Sequence, residues 1–140
     1  MTTQAEIVRY RVERAQDSLR EARLLADGGL WSACVNRLYY ACFYAVSALL
    51  LSRGLSSSKH TGVRSLFNSN FVKTEEVSRE LGAVYNDLFE NRQKSDYMDF
   101  VRFDEDQVRP WIVDAQLFVA TIGALAVVAE ESDQERATKD

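Results

Sequence analysis

Three groups of residues in this chain carry side chains able to handle a phosphate or a proton. The densest is Arg92-Gln-Lys-Ser-Asp96-Tyr97. It crowds a guanidinium, a carboxylate one helical turn on, and a phenol around a predicted helix boundary. The planar five-donor fork of arginine suits phosphate oxygens. A carboxylate one turn away can orient that fork or be neutralised by it. Burying such a cluster costs desolvation and side-chain entropy, so it has either a partner network or a task. The plainer reading is an Arg–Asp ion pair pinning a helix end, with Tyr97 as packing. The second group is Asn36, Arg37 and Tyr40, on the polar edge of an apolar segment. Positions 36 and 40 share a helix face. They either meet Arg92 across the fold or form a satisfied polar network in the core. The third group is Lys59 and His60, with Arg64 close by. A lone histidine at a helix start is ordinarily a capping or core-edge hydrogen-bonder. With Lys59 and Arg64 it also makes this end locally basic, a weak patch for RNA or nucleotide.

Five helical segments position these groups. The first spans about Gln4 to Asp27, with Ile7, Ala15, Leu19, Ala22 and Leu25 at helical spacing and Gly28-Gly29 as its stop. The second runs from Leu30 to about Ser52 and ends at Gly54. It is apolar nearly all round, so it is expected to be the most buried element. A serine of Leu55-Ser-Ser-Ser58 caps a short third helix, about Lys59 to Asn68. Thr74 and the acids after it mark the start of a fourth helix, with Val77, Leu81, Val84, Tyr85, Leu88 and Phe89 facing inward. It ends between Asn91 and Ser95. The last helix starts either near Asp104 with a bend or at Arg109, with Pro110 in its favoured first turn. The expectation is all-α: an up-and-down bundle of four long helices plus one short helix, in one domain over residues 1–130. Residues 131–140 form a charged tail that frays. Trp111, Phe118 and Val119 are expected at a homodimer interface, because the last helix carries more apolar surface than one bundle face needs.

Composition narrows the function classes. Six glycines and one proline in 140 residues argue against all-β architectures. Cys34 and Cys42 lie about two turns apart in one helix, roughly 12 Å between Cα atoms, too far to bridge. They read as small core residues in a reducing compartment. The polar N-terminus lacks signal-peptide order. The longest apolar run, Leu38 to Leu51, is shorter than the roughly 20 residues of a membrane span. The expected setting is therefore cytoplasmic, without membrane association. One histidine and two buried cysteines make no metal-ligand set, and no cofactor motif is present. The net charge of −4 supplies no global attraction to nucleic acid, so any such contact rests on a local patch.

The run Asn36-Arg37-Leu38-Tyr39-Tyr40-Ala41-Cys42-Phe43-Tyr44-Ala45 resembles the second-helix signature of HEPN domains, in particular the small bacterial and archaeal UPF0332 branch. Three more features match that branch in order: Lys59-His60-Thr61-Gly62-Val63, then Leu66-Phe67 with Phe71-Val72, then Arg92-x-x-x-Asp96-Tyr97. The resemblance implies a helical bundle that often dimerises, frequently paired with a small nucleotidyltransferase as a toxin–antitoxin module. Many members are metal-independent ribonucleases whose signature is an arginine, four to six intervening residues, then a histidine. No histidine follows Arg92; Asp96 and Tyr97 stand in its region. A carboxylate can take a proton from a ribose 2′-hydroxyl but is no cationic acid near neutral pH unless its pKa rises steeply. Arg53 and His60 match the spacing literally but straddle a linker, and are read as coincidence.

The resemblance thus implies a nucleotide- or RNA-binding partner protein, with Asn36, Arg37, Tyr40, Lys59, His60, Arg92 and Tyr97 as binding residues. It also implies Tyr97 as an acceptor of adenylyl groups. The alternatives are a ribonuclease with Arg92 and Asp96 at its active site, and a purely structural interaction domain.

Overall fold

A computed structural model describes residues 1–139, with side chains through Ala129. Its elements are α1 (Gln4–Asp27), α2 (Trp31–Ser52), α3 (His60–Phe67), a π-helical turn (Asn68–Val72), α4 (Arg79–Tyr97) and α5 (Glu105–Lys139). The chain is an all-α bundle of four long helices and one short one. The expected tail over 131–140 falls where side chains lie outside the described residues, and Asp140 lies wholly outside them; the α5 backbone runs to Lys139.

Local chemistry sets the helix ends. Thr3 Oγ1 accepts from the Glu6 N–H at 3.2 Å and opens α1. Both α1 and α2 close through a left-handed glycine. Leu30 N–H donates to the Leu25 carbonyl at 2.9 Å around Gly29, and Leu55 N–H to the Leu50 carbonyl at 2.8 Å around Gly54. Those glycines have φ of 72° and 74°, where a Cβ is strained. Two helix starts differ from expectation. No serine caps α3; Ser57 Oγ accepts from the Lys59 N–H instead, at 3.3 Å. Helix α4 begins at Arg79 rather than after Thr74, because Ser78 supplies the cap, accepting from Leu81 N–H at 3.1 Å. Glu75 in the preceding turn has φ of 68°, outside helical space. Helix α5 takes the earlier of its two predicted starts. Asp104 and Gln107 exchange backbone-to-side-chain bonds of 2.9 and 3.0 Å, a reciprocal capping box, and Pro110 sits inside the helix.

Helix α2 is the hub, packed against α1, α4 and α5. Phe67, Tyr85 and Phe118 meet beside it with ring centroids 5.6 to 6.0 Å apart. Gly82 lets α4 press onto the π-helical turn, since an added Cβ would stand 2.8 Å from a Val72 methyl. Two expected interface residues belong to this core. Phe118 and Val119 are 0% and 3% exposed, because their face of α5 meets the bundle. Trp111 is partly covered and packs edge-on to Phe103. The outward face of α5 instead shows Val113, Leu117 and Val128. By length and composition α2 and the Glu105–Ala129 stretch of α5 are apolar enough to cross a membrane, but two thirds of the 18-residue apolar stretch of α2 (67%) is buried in the core.

Candidate functional site

Arg92 lies in the last turns of α4, since that helix continues to Tyr97. The boundary expected near Asn91 to Ser95 falls later, which places Asp96 one turn from Arg92 on the same face. Arg92 Nε and Asp96 Oδ2 are 2.8 Å apart. The contact is an ion pair by distance, but the Nε–H is not aligned on the carboxylate and has no well-formed hydrogen bond. The Arg92 side chain is 18% exposed and crosses to α2. Its Nη2 donates to the Tyr40 hydroxyl at 3.3 Å, and its Cζ lies 5.3 and 5.4 Å from the Tyr39 and Tyr40 ring centroids. Two aromatic faces thus hold a guanidinium whose donors are only partly used.

The histidine comes from a different element than the family signature uses. His60 opens α3 and stacks on Phe43 with centroids 4.4 Å apart. Its Nδ1 is 2.8 Å from the Tyr39 hydroxyl, and Tyr40 meets it edge-on at 5.8 Å. Burial, and then the nearby Arg92 charge, lowers the His60 pKa from its ordinary value, so the imidazole is neutral near pH 7. Burial pushes the Tyr39 phenol up to about 12, so it stays protonated beside the ring. The relative position of α3 and α4 is fixed by a polar clasp. Arg64 Nε donates to Asn86 Oδ1 at 2.9 Å, Nη1 pairs with Glu90 at 2.7 Å, and Asn68 and Asn86 exchange amide bonds of 3.1 Å. Arg64 is therefore spoken for, and the basic end expected around it is largely neutralised. Lys59 is exposed.

The other predicted residues divide. Tyr40 meets Arg92, the first of the two arrangements left open for it. Arg37 donates twice to Asn36 Oδ1, at 3.1 and 2.8 Å, pairs with Glu21 at 3.5 Å, and has its Cζ 4.8 Å from the Tyr40 ring centroid. Asn36 and Arg37 line one groove of about 350 Å³ with Asp96, Ser32 and Ser95. Tyr97 does not join the pocket: it is 78% exposed. Arg53 pairs with Glu76 and covers Phe71, away from His60's ring contacts. Sequence reasoning assigned no site role to Tyr39, Asn68 or Asn86. The signal for the amides was polar residues interrupting two otherwise apolar faces. Among the described residues no group of three or more His, Cys, Asp or Glu is placed to hold a metal ion.

Fold and site together define a class: a small helical domain that gathers an arginine, the acid paired with it, two tyrosines and a histidine where three helices converge. The family model described as the HEPN domain matches residues 8–125, and the chain belongs to that family. It is similar to a UPF0332 protein of Thermotoga maritima, 46% identical over 89% of this chain and 95% of the relative. Two Methanocaldococcus jannaschii proteins, named "Putative toxin MJ0142" and "Putative toxin MJ0605", are each 31% identical. They cover 77% and 84% of this chain, and the matches span 74% and 87% of the relatives.

Proposed function

We propose that this protein is the HEPN component of a toxin–antitoxin-type pair, that it holds RNA or a nucleotide at the Arg92 junction, and that its partner is a small nucleotidyltransferase. The observation that carries the reading is the state of Arg92: mostly covered, seated on two tyrosine rings, Nε beside Asp96, Nη2 on Tyr40, and Nη1 without a partner among the described residues. A phosphate oxygen supplies what that guanidinium lacks. Asp96 acts as a positioning residue, holding the fork against rotation. Tyr97 is the acceptor for adenylyl transfer, and its exposure leaves it open to a partner enzyme. The names of the two archaeal relatives support the toxin side of this reading. A second copy of the chain covers Val113, Leu117 and Val128, the outward apolar stripe of α5. The setting is cytoplasmic, in keeping with two cysteines that are free and buried.

A second reading, metal-independent RNA cleavage, is favoured by one contact, the 2.8 Å approach of Tyr39 and His60 Nδ1. With Nδ1–H donated to the phenol, Nε2 is a neutral base. It takes the proton of a ribose 2′-hydroxyl; that oxygen bonds to phosphorus; the P–O5′ bond breaks; the proton passes to O5′. The products are a 2′,3′-cyclic phosphate and a 5′-hydroxyl end, and Arg92 offsets the charge on phosphorus.

The test is a labelled single-stranded RNA incubated with the protein in chelator, using wild type, Arg92→Ala and His60→Ala. Binding without cleavage, lost in Arg92→Ala, is the result expected for the partner protein. Cleavage lost in both variants selects the ribonuclease. Neither binding nor cleavage leaves only an interaction domain.

A further inference from the structure

Five arginines are partly covered among the described residues: Arg11, Arg14, Arg37, Arg64 and Arg92. The last three have carboxylate partners. Arg11 and Arg14 have none within ion-pair distance, and both line the same cavity. It encloses about 270 Å³ between α1, α2 and the α2–α3 linker, with Tyr10, Tyr44, Ser56 and Ser57 on its walls. The Glu21 charge acts on Arg14 only from beyond ion-pair distance, so both guanidinium groups keep donors that an outside anion can use. The walls add what a nucleotide uses. Arg14 donates to the Tyr10 and Tyr44 hydroxyls at 3.2 and 2.9 Å, which leaves three of its five N–H groups for other acceptors. Arg11 donates once, to the Ser47 carbonyl at 3.2 Å. The Tyr10 ring is over half exposed and offers a face for a base.

Two residues of α2 link the cavity to the Arg92 junction. Tyr44 lines it and stands 6.2 Å from Tyr40, the tyrosine bonded to Arg92. Phe43 lines it and stacks on His60. A volume of about 270 Å³ suits one nucleobase or one sugar-phosphate, not a longer segment.

We propose that this cavity is a second nucleotide subsite. On the proposed reading of the Arg92 junction as an RNA site, it takes a neighbouring nucleotide of the same single strand, its phosphate on Arg11 and Arg14 and its base on Tyr10. The strand then follows the outer edge of α2 from Tyr40 to Tyr44.

The experiment compares a dinucleotide and a hexanucleotide of uridine for binding to the full chain, with wild type, Arg14→Gln, Tyr10→Ala and Arg92→Ala. Thermal melting verifies that each variant folds, and exposed Tyr10 serves if Arg14→Gln does not. The proposal expects Arg14→Gln and Tyr10→Ala each to weaken the hexanucleotide at least about fivefold, and the dinucleotide likewise, since two neighbouring nucleotides span the junction and the subsite. Crosslinks from 5-bromouridine are expected at Tyr10 or Tyr44. Hexanucleotide affinity lost in Arg92→Ala but unchanged in the other two overturns the subsite and leaves the junction standing. Affinity unchanged in all three overturns the junction as well.

Discussion

His60 Nδ1 and the Tyr39 hydroxyl lie 2.8 Å apart, joining the first residue of α3 to the middle of α2. The contact fixes one imidazole nitrogen and turns the ring onto Phe43, within reach of the Arg92 field. Arg92 and His60, from different helices, thus both touch Tyr39 and Tyr40, and Arg92 acts electrostatically on the imidazole. That placement gives the first prediction its sign.

The His60 pKa is lowered in the folded chain, by burial first and by Arg92 second. Between that folded value and the unfolded one, near 6.5, the unfolded chain binds more protons. The contribution to stability is therefore fully present above the unfolded pKa and is lost as pH falls through the folded pKa. Melting temperatures of wild type and His60→Gln, compared from pH 8 to pH 5, are expected to converge or cross on acidification as the wild type loses this contribution. Parallel curves would show that His60 titrates as it does in the unfolded chain.

The two faces of α5 make opposite predictions. Phe118→Ala opens a cavity among Phe67 and Tyr85 and is expected to cost about 3–5 kcal/mol in chemical denaturation. Leu117→Glu, one residue away on the outer face, is expected to leave the fold of each chain within about 0.5 kcal/mol. It is also expected to convert a dimer to a monomer in sedimentation. A Leu117→Glu protein that still sediments as a dimer would place the interface elsewhere.

Burial raises the Cys34 thiol to about 11 and the Cys42 thiol further still. Both are neutral thiols below pH 9 and enclosed in α2. Alkylation at pH 8 is expected to modify neither in the folded protein and both in denaturant. Fast labelling of native protein would contradict the packing of α2.

Much of this architecture was legible in the chain. The Gly28-Gly29 pair, the single Gly54 and apolar spacing located α1 and α2, and Arg92, Asp96 and Tyr40 stand out by residue type and spacing. The misses have physical causes. Ser78 outcompeted Thr74 as the α4 cap, because Glu75 leaves helical space and ends any earlier start. Phe118 and Val119 looked like surplus apolar surface, since a sequence shows a helix's hydrophobic arc but not which part of it α2 covers. His60 appeared solitary because its partners, Tyr39 and Phe43, are 21 and 17 positions away in the chain. The Arg14 cavity was invisible for the same reason: Tyr44 reaches it from across the α1–α2 hairpin.

Tyr97 is exposed and no hydrogen bond holds it. Tyr97→Phe is expected to keep wild-type stability within about 0.5 kcal/mol. After co-expression with an adjacent nucleotidyltransferase, intact-mass spectra are expected to show added adenylyl mass on the wild type and none on Tyr97→Phe. Equal modification of both would move the acceptor to another residue.

The central claim is that the Arg92 guanidinium receives a phosphate. It is tested most directly by titrating a short single-stranded RNA at several salt concentrations with wild type, Arg92→Lys and Arg92→Ala. The account predicts weaker binding for both variants across RNA sequences, with lysine an incomplete substitute for the fork. It also predicts that the slope of log affinity against log salt becomes shallower by about 0.7 in Arg92→Ala, one phosphate contact on a single strand. Wild-type affinity and slope in Arg92→Ala would contradict it.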